Sequence, residues 1–177
     1  MIETRRTLLR PLSRQDAPGL FSYRSLPEVY RYQNWVPRDL GDALDFILRY
    51  SVNPATEEDD WRQLGIYHKA GEALIGDCGF RVFGPGQAEI GYTIAPPHQR
   101  QGFGSEVVRS LVSYLFEEHH LRRLIARTDP ANIGSIRILK RTGFRMEGRS
   151  PATVEIEGER EDEFIFSVLR EDWAAEK

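Results

Sequence analysis

The stretch His98, Gln99, Arg100, Gln101, Gly102, Phe103, Gly104, Ser105 carries the most explicit chemistry in the chain. Gly102 and Gly104 let backbone N–H groups turn toward an anion, and the long apolar-periodic segment that follows adds unpaired helix N-terminal donors and the positive end of a dipole. With Arg100 beside them, these residues make a pyrophosphate cradle. No Lys-Ser or Lys-Thr follows the glycines, so this is not a Walker loop, and the third glycine of the dinucleotide fingerprint is missing. Two glycines alone also fit an ordinary turn. A second candidate lies just upstream, where alternation puts Ala88, Ile90, Tyr92 and Ile94 on one face of a strand and Glu89, Gly91 and Thr93 on the other. A carboxylate beside a residue with no side chain has room to take a proton from a bound group, although a solvated strand residue has the same pattern. Third, Glu155, Glu157, Glu159, Glu161 and Glu163 alternate, with Asp162 beside them. If the register holds, one face is strongly acidic and attracts a cation; the alternative is a charged edge that resists aggregation. Glu57 to Asp60 has the same two readings. His119 and His120 have no metal-ligand spacing, and no metal site is expected.

The elements that must position these residues are legible in outline. Thr7 to Leu12 reads as a first strand, Ser13 and Asp16 as the capping start of a helix of about ten residues. Further helical segments begin near Pro27 and run from Asp39 to Tyr50, where Ala43, Leu44, Ile47 and Leu48 share a face. After a loop from Ser51 to Asp60, three antiparallel strands follow: Leu64 to His68, Leu74 to Phe83 and Ala88 to Ile94. A helix from Gly104 to Glu118 buries Val107, Val108, Leu111, Val112 and Leu115. Leu124 to Thr128 is a strand, and Asn132 to Arg141 a helix ended by Gly143 in the left-handed conformation. Asn132 and Ser135 have helix-capping spacing. Phe144 to Thr153 and Glu163 to Leu169 form a final hairpin. This order predicts an α+β fold with a mixed central sheet and helices on both faces.

The composition limits the function classes. A chain of 177 residues, 40% hydrophobic and 29% charged, is sized for one globular domain spanning 1–177. A net charge of −3 argues against binding nucleic acid through a basic surface. The N-terminal MIETRRTLLRPL lacks the apolar core of a secretory signal, and nothing approaches the ~18 apolar residues of a membrane span. Cys78, the only cysteine, cannot pair within the chain and fits a small buried side chain in a reducing compartment. The expectation is a cytoplasmic protein with no membrane and no nucleic-acid partner. A symmetric homodimer is the commonest default for such a chain.

Together the blocks resemble the GNAT acetyltransferase superfamily, and within it the group of ribosomal-protein N-acetyltransferases and spermidine acetyltransferases. Gln99, Gly102 and Gly104 match the superfamily's acetyl-CoA motif in register. Asn132, Ser135, Arg137, Leu139, Lys140, Gly143 and Phe144 are similar to the group's second signature, with Lys140 one place early. Glu89 to Tyr92 resembles the strand before the loop, and Asp162 through Trp173 the closing strand and Asp-Trp end. Arg10 with Pro11, and Trp35 with Pro37, also fit.

The resemblance implies a GNAT-type acyl-CoA N-acyltransferase fold, acetyl-CoA as cosubstrate and a splayed gap between the strand ending at Ile94 and that from Leu124 to Thr128. Pantetheine would pair with backbone groups around Tyr92 and Ile94. The amides of Gln101, Gly102, Phe103, Gly104 and Ser105, with Arg100, would hold the pyrophosphate, and Asn132 would reach the pantetheine arm. Ser135 would donate to the departing thiolate, a role that competes with local capping and that many relatives give to a tyrosine. Tyr30, Tyr32 and Trp35 would form one wall of the acceptor pocket, or simply pack. Glu89 or a carboxylate of the last hairpin would take the amine proton. At pH 7 an α-amine of pKa about 7.8 is about 15% neutral, a lysine-like amine only about 0.04%, so a weak base suffices for the first. The expected reaction is direct attack of a primary amine, a protein N-terminal α-amine favoured, on acetyl-CoA in a ternary complex. A polyamine or aminoglycoside acceptor, or a CoA-binding module without turnover, is the alternative.

Overall fold

The structure is a computed structural model that describes residues 1–52, 60–150, 155–156, 159–160 and 162–175, with side chains given for all of these except the four at 155–156 and 159–160. In chain order the elements are β1 (Ile2–Glu3), β2 (Thr7–Pro11), α1 (Ala17–Arg24), α2 (Pro27–Tyr30), α3 (Leu40–Ile47), β3 (Arg62–His68), β4 (Ala73–Phe83), β5 (Gln87–Ile94), α4 (Phe103–Glu117), β6 (Arg123–Thr128), α5 (Ile133–Arg141), β7 (Arg145–Ser150), β8 (Glu155–Ile156), β9 (Glu159–Arg160), β10 (Glu163–Leu169) and α6 (Arg170–Ala175).

Eight strands form one sheet in the order β1-β2-β3-β4-β5-β6-β10-β7. All neighbours are antiparallel except β5 and β6, which run parallel and pair only from Gln87–Arg123 to Glu89–Ile125. Beyond Glu89 the sheet parts. β5 stays with β4 as far as Ile94, opposite Gly76, while β6 stays with β10 as far as Thr128, opposite Phe164. Two half-sheets thus share a short seam and diverge into a wedge. This is the splayed gap that the resemblance implied.

Helices cover both faces, each for a sequence reason. On α4 the 3.6-residue period puts Val107, Val108, Leu111, Val112, Leu115 and Phe116 into the larger core, with Phe80, Ile90, Leu124 and Phe166 of the sheet. Each such side chain contributes roughly 1.5–3 kcal/mol by burial. The second, smaller core takes Leu20 and Tyr23 of α1 and Ala43 and Ile47 of α3. Leu74 packs against this smaller core and its neighbour Ile75 belongs to the larger one, as alternation along a strand requires. Cys78 is buried, and burial pushes its thiol up. Among the described residues no helix is long and apolar enough to cross a membrane.

The differences from expectation are local. Ser13 opens a short 3₁₀ turn, with Asp16 Oδ2 accepting from both its N–H and hydroxyl at 2.7 Å, before α1 begins. The third helix does not reach Tyr50 in α geometry; it widens into a π turn, Leu48–Val52. There the buried Ser51 hydroxyl accepts from Leu12 N–H at 2.7 Å and donates to Gln63 O at 2.5 Å, tying the helix end to β3 and to the residue that follows β2. The last two long strands pair as expected, with a bulge at Ile165 and Phe166, but β8 and β9 form a separate two-stranded ladder between them. β1 and α6 were not foreseen: one has two residues, the other opens without a break after β10. The side chains of Glu155, Glu157, Glu159 and Glu161, residues 57–59 and Thr153 lie outside the described residues.

Candidate active site

The wedge opens into a cleft of about 1530 Å³, lined by residues of β5, β6, α5 and the α1–α3 layer. Typical small-molecule pockets hold roughly 300–1,000 Å³, so this one has room for two ligands end to end. Glu89, Tyr92, Ile94, Arg100, Gly102, Gly104, Ser105, Asn132 and Ser135, all singled out from sequence, line it. Gln101 and Phe103 do not. The Gln101 side chain donates to Pro97 O at 2.9 Å, and Phe103 is buried beneath the loop, so both can contribute only through their backbone.

At one end lies the glycine loop. Arg100 (φ 58°) and Gly102 (φ 83°) are left-handed, and Gln99 Nε2 donates to Ile94 O at 2.8 Å, which fixes the loop to the end of β5. The first-turn amides of α4 have no intrahelical acceptor. Gly104 packs closely on α5, since a Cβ there would stand 2.6 Å from Ile138 Cδ1 and that side chain would have to move.

In the middle, α5 meets β5. The Asn132 side chain accepts from Ser135 N–H at 3.0 Å, so it caps the helix as its spacing suggested. Ser135 Oγ and Tyr92 Oη share a hydrogen bond of 3.0 Å, and burial pushes the Tyr92 phenol up, which keeps it protonated. Tyr92 thus brings a side chain as well as backbone to the site, which alternation alone did not reveal.

On the other flank the carboxylates differ. Glu89 is buried and accepts from Arg81 Nε and Nη2 at 3.1 and 2.8 Å, with Arg127 Nε 3.7 Å away. The space expected beside it at Gly91 is faced by the Trp61 ring, 3.5 Å from where a Cβ would stand. Glu163, at the start of β10, has Arg127 Nη1 at 3.8 Å. Its carboxyl is raised above the usual range, chiefly by burial and further by Glu89 and Asp129, with Arg127 opposing.

Beneath the end of the cleft lined by α1 and α3, sequence reasoning missed a buried group. Asp77, fully inaccessible, accepts from Tyr23 Oη at 2.6 Å, from Arg24 Nε and Nη2 at 3.1 and 2.5 Å, and from Gln63 Nε2. Arg24 Nη1 continues to Gln33 Oε1 at 2.8 Å. The available signal was an aspartate inside the apolar run of β4. Thr93 lines the same cleft, and its Oγ1 is buried and has no hydrogen-bond partner among the described residues. Tyr30, Tyr32 and Trp35 line the cleft as the resemblance implied, and Trp35 stacks on Phe46 with ring centroids 4.3 Å apart.

Comparison with known proteins decides the family. The acetyltransferase (GNAT) domain profile matches residues 6–145. The chain belongs to the GNAT acetyltransferase family. An uncharacterized N-acetyltransferase of Bacillus licheniformis, p20, is 34% identical over 174 residues, 97% of each chain. The crystal structure of a GNAT-family acetyltransferase from Bacillus anthracis superposes with a TM-score of 0.86 at 26% identity, covering 96% of this chain and 98% of that one. A putative ribosomal-protein-serine acetyltransferase from Vibrio cholerae gives 0.81 at 27% identity, covering 95% and 96%. This GNAT chain is therefore an acetyl-CoA-dependent N-acyltransferase on an α+β fold with a mostly antiparallel open sheet. The left-handed loop, the free first-turn amides and Arg100 fit the diphosphate of CoA, and the parted β5 edge fits its pantetheine arm.

Proposed function

We propose that this GNAT enzyme acetylates an α-amine of the kind at a peptide N-terminus, by direct attack on acetyl-CoA in a ternary complex. The observation that carries the reading is the continuity of one cleft from the glycine loop, past the Tyr92–Ser135 hydroxyl pair, to Glu163. Arg100 and the amides of Gln101, Gly102, Phe103, Gly104 and Ser105 bind the pyrophosphate, and backbone groups of Tyr92 and Ile94, with Asn132, hold the pantetheine arm. At the reaction centre the neutral amine attacks the thioester carbonyl carbon, the C–S bond breaks, and the amine proton passes to a carboxylate, directly or through water. The thiolate leaves toward Ser135, whose hydroxyl donates to it while Tyr92 supports that hydroxyl.

Of the two carboxylates, Glu163 suits the base better. Glu89 holds two hydrogen bonds from Arg81, and protonating it would break that pair, whereas Glu163 has one distant cation and a raised affinity for protons. Glu89 then serves to fix Arg127 between them. One carboxylate is enough for an α-amine, already about 15% neutral at pH 7. With Arg24 neutralised by Asp77 and Asp42 by Arg38, the acceptor end carries Arg31 and Arg49 as well as Glu28 and Asp45, a mixed field that does not select a polycation. The 27%-identical structure whose name specifies a ribosomal-protein serine points to the same acceptor class.

The test has two steps. Acetyl-CoA at 100 times its Kd raises unfolding free energy by about 2.7 kcal/mol, visible as a thermal shift. Absence of a shift at millimolar acetyl-CoA overturns the reading. Mass spectrometry of short peptides, spermidine and an aminoglycoside incubated with enzyme and acetyl-CoA then identifies the acceptor. Acetylated peptide α-amines are expected; binding without transfer to any amine would make the protein a CoA-binding module.

A further inference from the structure

Behind the glycine loop, on the side away from the cleft, Arg6 makes a set of contacts that no step above uses. Its Nη1 donates to Gln101 O at 3.0 Å, its Nε donates to Glu106 Oε2 at 2.7 Å, and its guanidinium lies 4.2 Å over the Phe103 ring. The Arg6 backbone N–H and the Thr4 hydroxyl also donate to Glu106 Oε1, at 2.7 and 2.6 Å. Residues that join β1 and β2 thus hold the loop and the first turn of α4, about a hundred positions later in the chain.

We propose that Arg6 is a positioning residue for cosubstrate binding, one that aims the loop amides into the cleft and cancels the charge of Glu106. The inference rests on the acetyl-CoA reading above. Two physical arguments support it. In a trans peptide the C=O and the next N–H point in opposite directions, so fixing Gln101 O on the Arg6 side turns the Gly102 N–H toward the cleft that Gly102 lines. Glu106 sits in the first turn of α4, where an anionic ligand is to bind. A carboxylate there suits an empty helix end but repels a diphosphate. Burial alone would raise that carboxyl, yet the hydrogen bonds from Thr4 and Arg6 hold it below the usual range, so it stays charged. Only the cation beside it removes the repulsion.

The experiment is calorimetric titration of CoA into wild type, Arg6→Ala, Glu106→Gln and the double variant, with circular dichroism to verify folding. Arg6→Ala is expected to weaken CoA binding about tenfold or more, since one uncompensated charge acts on the ligand through a partly screened medium. Adding Glu106→Gln is expected to restore part of that loss, the share due to the uncompensated carboxylate, which a merely structural role for Arg6 would not produce. Glu106→Gln alone is expected to tighten binding, and it carries the test if Arg6→Ala does not fold. Unchanged affinity in Arg6→Ala, no recovery in the double variant, or weaker or unchanged binding in Glu106→Gln overturns the proposal. If wild type itself fails to bind CoA, it is the cosubstrate reading that falls.

Discussion

Arg127 stands between two glutamates, and what else holds each of them sets their chemistry. Glu89 accepts two hydrogen bonds from Arg81, while Glu163 is half-buried with Arg127 as its ion-pair partner. Replacing Glu163 by Gln is therefore expected to lower kcat/KM for an α-amine peptide by about 10²-fold or more, with the Kd for CoA unchanged. The acid limb of the wild-type pH–rate profile should lie above the ordinary carboxylate range. The same shift has a stability consequence of fixed sign. A carboxyl whose folded pKa is raised contributes stability below its unfolded pKa and loses it as pH rises through the folded value. Glu163→Gln should then melt higher than wild type at pH 8, and the difference should vanish near pH 4. Ser135→Ala and Tyr92→Phe each remove one end of a single hydrogen bond, so their effects on kcat should be far from additive. Alternation along one strand sufficed to pick out Glu89. Its partners were not legible, because Arg81 and Arg127 come from neighbouring strands whose register is a tertiary fact.

At the level of elements, the wedge depends on how tightly β4 and β5 approach. A Cβ at Gly76 would stand 2.2 Å from Thr93 O, so only glycine lets β5 pair as far as Ile94. Gly76→Ala is expected to cost about 1–3 kcal/mol in denaturant unfolding and, on the proposed binding mode, to weaken CoA binding, because the β5 edge proposed to pair with pantetheine must shift. The buried Asp77 fixes α1 against the sheet on the acceptor side. Asp77→Ala leaves the Arg24 guanidinium buried without its partner and should cost about 3–5 kcal/mol, measured the same way. Strand and helix positions were read within a few residues, since buried faces impose a period on the sequence. The π turn after α3 and the separate ladder of β8 and β9 were not, because neither has a periodic signature.

Across the whole molecule the two cores are unequal, and so is the protection they give. The smaller core joins α1 and α3 to one face of the sheet, while the larger packs α4 against residues of many strands. Native-state hydrogen exchange should release α3 amides before those of α4, and CoA should slow the amides of residues 99–105 most. Apolar residues at spacings of 3.6 or 2 were enough to determine the α+β class, and the resemblance of the ordered blocks gave the family, because both rest on local stretches of sequence, as does the glycine that must turn left-handed at Gly102. Only the tertiary structure decided which cations flank Glu89 and Glu163, that Tyr92 reaches Ser135, and that Arg6 holds Gln101 and Glu106. The last two relations join residues 43 to about 100 positions apart, and contacts between separate strands and helices leave no periodic trace in the sequence.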